Sequence, residues 1–161
     1  MQFEEGRVLC ACGDDGYREL VQQGKYRDGR FCDELVSAVV EMIYQFNPSP
    51  KPSWITCVPS IRYPNLVPDF AYRLAAALHL PFYRVLSRTD NRPEQKTMAN
   101  SHQKAHNLDG AFAISEKVLK QPCFLIDDTV DSRWTFTVCA HLLRKAGATA
   151  VFPIALADAG K

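Results

Sequence analysis

The 161 residues are 47% apolar and 23% charged, and 19 lysines and arginines against 18 aspartates and glutamates leave a formal charge of +1. That size and balance suit one compact domain with a single core and exclude intrinsic disorder. No apolar run nears the roughly 20 residues of a membrane-spanning helix, no secretory pattern opens the chain, and no basic excess marks a surface built to grip nucleic acid. The chain reads as a soluble, cytoplasmic, globular domain spanning 1–161.

In chain order, 33–46 is predicted to be a helix. Asp33 can cap it, and Leu35, Val39, Met42, Ile43 and Phe46 recur at helical spacing. The proline-rich stretch 47–52 is a stiff connection too short to separate domains. A short apolar strand follows at 54–58 and stops at Pro59. Pro68 opens a second helix with Phe70, Ala71, Leu74, Ala77 and Leu78 on its apolar face. Residues 82–85 read as a strand and 87–106 as a long mobile loop poor in apolar side chains. A weak strand at 111–114 and a strong one at 123–126 come next. A helix at 135–146 ends at Gly147, and a last strand covers 149–156. Pro153 within that strand requires an edge position or a missing ladder bond. Alternating strands and helices predict an α/β fold with a central, mostly parallel sheet flanked by helices. Ligands of such sheets bind at the carboxyl ends of strands, which selects the loops after Val58, Val85 and Ile126.

Six cysteines (Cys10, Cys12, Cys32, Cys57, Cys123 and Cys139) include no C-x-x-C pair, and several lie inside apolar runs. They are expected to be buried, reduced thiols rather than metal ligands.

The sharpest chemical feature is Phe124-Leu125-Ile126-Asp127-Asp128-Thr129-Val130-Asp131-Ser132-Arg133-Trp134-Thr135. A buried apolar strand delivers two adjacent carboxylates to its exposed end. Hydroxyls and backbone amides follow at a helix N-terminus, where the macrodipole favours an anion. A phosphorylated sugar needs such a pairing. The carboxylates of Asp127 and Asp128 accept hydrogen bonds from ribose hydroxyls, while Ser132, Thr135 and main-chain amides hold a phosphate.

This segment resembles the phosphoribosyl pyrophosphate (PRPP) signature of type I phosphoribosyltransferases. Asp131 at the fifth place looks most like the hypoxanthine-guanine members. The resemblance implies a type I phosphoribosyltransferase-like fold in which Asp127 and Asp128 meet the ribose, or Mg²⁺ through substrate or water. The 5′-phosphate would fall to Asp131, Ser132, Arg133, Trp134 and Thr135, and the pyrophosphate to Ser60, Ile61 and Arg62. Asp131 would take a proton from an incoming nucleobase, and Arg88 and Lys96 would act from a flexible catalytic loop over 87–106. One departure is Arg133, which stands where many of these enzymes have glycine.

Gly13-Asp14-Asp15-Gly16-Tyr17, Gly24-Lys25-Tyr26, Phe31-Cys32-Asp33-Glu34-Leu35-Val36, Val58-Pro59-Ser60, Leu66-Val67-Pro68-Asp69-Phe70-Ala71, Asn107-Leu108-Asp109-Gly110-Ala111-Phe112 and the 131–135 segment together resemble the C-terminal phosphoribosyltransferase-like domain of bacterial RecQ-type DNA helicases. The stretch around Gln103, Asn107 and 110–112 is also similar to ComF-type competence proteins. No G-x-x-x-x-G-K-[ST] occurs, so the chain is not a helicase motor. It is expected to be the C-terminal portion of a longer RecQ-like chain or a free-standing relative. Three readings stay open: a Mg²⁺-dependent transferase acting on PRPP and a nucleobase, a module sensing PRPP or a nucleotide for a linked helicase in DNA repair, and an interaction domain with a relic site. A homodimer is compatible with each.

Overall fold

The computed structural model describes residues 5–10, 15–89, 111–130 and 133–158. Among the described residues, the strands and helices are β1 (Arg7–Cys10), α1 (Asp15–Gln23), α2 (Asp33–Phe46), β2 (Trp54–Cys57), α3 (Leu66–Leu78), β3 (Leu86–Arg88), β4 (Phe112–Ile114), β5 (Cys123–Val130), α4 (Trp134–Lys145) and β6 (Val151–Asp158). A π-helical turn, Gly24–Asp28, continues α1. Strands β1-β6-β5-β2 form one parallel sheet, and β3 and β4 pair antiparallel as a separate hairpin. No described helix is long and apolar enough to cross a membrane.

Period-two alternation along β5 divides the core. Phe124 and Ile126 join Leu35, Val39, Phe70 and Leu74 on the side of α2 and α3. Cys123 and Leu125 join Phe136, Cys139 and Leu143 of α4 together with Leu86 and Phe112 of the hairpin. The sheet is thus buried on both faces, which a parallel sheet requires. Cys10, Cys57, Cys123 and Cys139 are buried and outside any disulfide, Cys32 is half-buried, and Cys12 lies outside the described residues.

Several local expectations need correction. Residues 82–85 are not a strand: Phe82 makes an isolated bridge to Ile55, and regular pairing starts at Leu86. Ser87 and Arg88, expected in a loop, therefore belong to β3, while 90–106 lies outside the described residues. Helix α3 starts at Leu66, two residues before Pro68, and proline is tolerated there because the first turn's N–H groups have no helical acceptor. Asp33 is the first residue of α2 rather than its cap, and its carboxylate goes elsewhere. Strand β6 is interior, so Pro153 takes the second of its two options. The Pro153 carbonyl lies 2.7 Å from where a Gly6 side chain would start, so its main-chain polar groups face β1. The β1 ladder begins one register step later, at Arg7 opposite Ile154, and the missing N–H costs no bond there.

Arg73 ties the helix starts to the connection that carries the π turn. Its guanidinium donates to Asp69 Oδ2 (2.9 Å), to Asp33 Oδ1 (2.8 Å) and to the carbonyl of the buried Phe31. Asp33 is largely exposed, so that pair adds little, and the bond to the Phe31 carbonyl carries most of the effect. Arg73→Ala is expected to lower stability by about 2 kcal/mol, read as a lower urea midpoint at unchanged m-value.

Candidate functional site

Sequence reasoning expects an apolar strand over 123–126 that carries Asp127 and Asp128 at its exposed carboxyl end. The strand instead runs to Val130, which places the pair fifth and sixth of its eight residues. Pairing with β6 drives the extension, because Asp127, Thr129 and Val130 stay in register with Ala155, Ala157 and Asp158. On the other flank β2 stops at Cys57 opposite Ile126. The acid pair therefore sits where one neighbouring strand has ended, beside the loop that begins at Val58.

Alternation sends Asp127 toward the α4 side and Asp128 toward the side of α1–α3. The Asp128 amide donates to Asp127 Oδ1 at 2.8 Å. Burial, then the charge of Asp128, pushes the Asp127 carboxyl well above the usual carboxylate range. The charge of Asp127 also acts on two buried thiols. Burial lifts Cys57 to about 12, with Arg84 opposing the rise and Asp127 adding to it. Cys139 is likewise pushed up by burial and Asp127, against Arg88. These thiols remain protonated and inert.

Asp128 has a partner that sequence reasoning missed. Lys25 Nζ lies 2.9 Å from Asp128 Oδ2, and the two side chains are only 18% and 13% exposed. Burial works against the Lys25 charge, but the hydrogen bond and charge of Asp128 outweigh it and raise the pKa. The ammonium also lies 5.4 Å from the Tyr63 ring centroid and 5.6 Å from that of Tyr26, and the two rings meet edge-on. The π turn aims Lys25. Its Gly24 carbonyl accepts from the amides of Gly29 and Arg30. A side chain at Gly24 would start 2.8 Å from Phe31 Cδ1, so only glycine fits. Upstream, Arg18 binds the carbonyls of Cys10 and Asp158 at 3.1 Å each, holding α1 across the carboxyl ends of β1 and β6.

The remaining expected residues divide. Ser60 Oγ accepts from the Tyr63 amide at 3.1 Å, and so shapes the 58–65 loop. Ile61 is half exposed, and the Arg62 guanidinium lies 5.5 Å from the Tyr63 ring centroid. Arg88 stacks 5.0 Å from the centroid of Phe112 in the hairpin. Lys96, Asp131 and Ser132 lie outside the described residues. Trp134 and Thr135 open α4, whose first amides have no helical acceptor. Arg133 precedes them with φ 69° and ψ −9°, a left-handed conformation that favours glycine. Its carbonyl accepts from the Thr137 amide and hydroxyl, both at 3.0 Å. Its side chain helps line a cavity of about 90 Å³ with Val8, Val130 and Phe136.

Among the described residues no three His, Cys, Asp or Glu side chains converge on a metal position. Two carboxylates, one engaged by Lys25, cannot cage an ion alone. They fit Mg²⁺ in its usual manner, with one or two carboxylates and the other oxygens from substrate phosphate and water.

The parallel sheet, its flanking helices and the separate hairpin have the fold of type I phosphoribosyltransferases. Glutamine PRPP amidotransferase from B. subtilis, complexed with ADP and GMP, is similar with TM-score 0.50 and 18% identity over 74% of this chain. This chain spans only 26% of that enzyme. Purine phosphoribosyltransferase from Pyrococcus horikoshii is similar with TM-score 0.50 and 16% identity, covering 80% of this chain and 83% of its own. No family model and no curated protein matches the sequence.

Proposed function

We propose that this chain binds a phosphoribosyl ligand, PRPP or a nucleotide, at the carboxyl ends of β2 and β5. The observation that carries the reading is one continuous segment: a buried strand, two carboxylates, and a helix start with a left-handed residue at position 133. The carboxylates of Asp127 and Asp128 accept from ribose hydroxyls. Amides of the α4 start, with Asp131, Ser132, Arg133, Trp134 and Thr135, hold the 5′-phosphate, helped by the helix dipole. Ser60, Ile61 and Arg62 receive the pyrophosphate. Mg²⁺, held by Asp127 or Asp128 through substrate oxygens or water, would neutralise the leaving pyrophosphate. In transfer, a nucleobase nitrogen bonds to C1 as the C1–pyrophosphate bond breaks, Asp131 takes the base proton, and Arg88 and Lys96 cover the leaving group.

A second reading is favoured by the Lys25–Asp128 pair, which occupies an oxygen that catalysis would need. In it the domain binds PRPP or a nucleotide without turnover and reports to a linked helicase, in keeping with the sequence resemblance to the RecQ-appended domains. In that case the chain is the C-terminal portion of a longer protein acting in DNA repair. Calorimetry with PRPP and Mg²⁺, followed by pyrophosphate release across purines and pyrimidines, separates these outcomes. Binding with release makes it a transferase, and binding without release makes it a sensor. No binding of PRPP or of any nucleoside monophosphate removes both.

A further inference from the structure

Lys25 stands apart from an ordinary surface lysine in three respects. Its ammonium is within hydrogen-bond distance of Asp128, both side chains are largely removed from water, and two tyrosine rings flank the contact. Its backbone is fixed by the Gly24 packing against Phe31, so the side chain is aimed rather than roaming. Asp128 and Asp127 are adjacent, and a second cation beside them would stand within a few ångströms of the ammonium. At that separation, like charges in a partly desolvated site repel strongly.

We propose that Lys25 is the resident counter-cation of the acid pair, filling at Asp128 the place a divalent cation would take. A free divalent ion then finds Asp128 already neutralised and binds weakly. A ligand that brings hydroxyls or its own metal must first exchange Lys25 off the carboxylate. The ammonium released from Asp128 has three donors to offer, and a phosphate oxygen is the acceptor it suits. This last step rests on the phosphoribosyl reading; the competition between Lys25 and a divalent ion does not.

The test uses the full chain and Mn²⁺ alone, followed by the loss of its free-ion paramagnetic resonance signal. Lys25→Met is expected to bind Mn²⁺ at least about tenfold more tightly than the parent chain, as removal of one nearby positive charge predicts. Asp128→Asn added to Lys25→Met should abolish that gain. Unchanged Mn²⁺ affinity in a folded Lys25→Met chain overturns the proposal, as does a gain that survives loss of Asp128. Should Lys25→Met not fold, Lys25→Gln keeps a neutral donor beside Asp128 and is judged by the same two criteria. A parallel titration with PRPP, in EDTA and in Mg²⁺, keeps the two readings apart. PRPP affinity should depend more steeply on Mg²⁺ in Lys25→Met than in the parent. Absence of any PRPP binding would defeat the phosphoribosyl reading and leave the Mn²⁺ result to decide Lys25.

Discussion

Replacing Asp127 and Asp128 together by Asn is expected to abolish PRPP binding, because both side chains that would meet the ribose hydroxyls or a substrate-borne metal lose their carboxyl groups at once. Stability responds in two opposing ways. Asp127 is held above its ordinary pKa mainly by burial, so the folded state prefers its protonated form. Its ordinary value is near 3.9, and the stability linked to that proton is fully present below about pH 4. It is lost as pH rises through the folded value. Asp127→Asn alone should therefore flatten the fall in urea midpoint as pH rises above about 4. Asp128→Asn acts the other way, since it strands the Lys25 ammonium in a largely buried site at a cost of about 3 kcal/mol. A domain of ordinary stability, 5–15 kcal/mol, survives that loss. A folded double variant that still binds PRPP with unchanged affinity would refute the phosphoribosyl assignment.

The elements that sequence made legible are those whose pattern is local. Helix α2 has an apolar residue on every turn and matches its expected span, and β2 is an apolar run broken only by Thr56 that ends one residue short. Strand β5 shows where this stops working. Asp127 and Asp128 are weak strand formers by type, yet the ladder to β6 carries the strand through them to Val130. Their pairing partners lie 28 residues away, beyond any local pattern. Residues 15–28 carry no legible helix pattern, because Tyr17, Leu20 and Val21 are too sparse among polar neighbours. The Lys25–Asp128 contact was invisible for the same reason. Gly24-Lys25-Tyr26 carries resemblance, but nothing in it reveals a carboxylate a hundred residues on. The departure at Arg133 was legible as a residue type, whereas its left-handed backbone was not.

That backbone sharpens what Arg133→Gly should do. An L-residue in the left-handed region costs roughly 1–2 kcal/mol, which glycine does not pay. Glycine in turn loses about 0.5–1 kcal/mol through its freer unfolded chain. The two largely offset, so stability should rise by no more than about 1.5 kcal/mol, and a change in ligand affinity can be attributed to the side chain. The turn already has the conformation that glycine would allow, and substitution need not rebuild it. Arg133 is exposed, and its guanidinium can add a charge-assisted contact to a phosphate gathered by the helix amides. Such contacts contribute about 1.5–3 kcal/mol, or roughly ten- to hundredfold in affinity. The 5′-phosphate is unchanged between ground and transition states, so the arginine tightens binding without accelerating transfer. Arg133→Gly should therefore weaken binding of PRPP and of nucleoside monophosphates by that factor in calorimetry, with any turnover rate at saturation unchanged. Tighter binding, or transferase activity gained by the variant, would mean that the side chain closes the phosphate turn, and the non-catalytic reading would then take precedence.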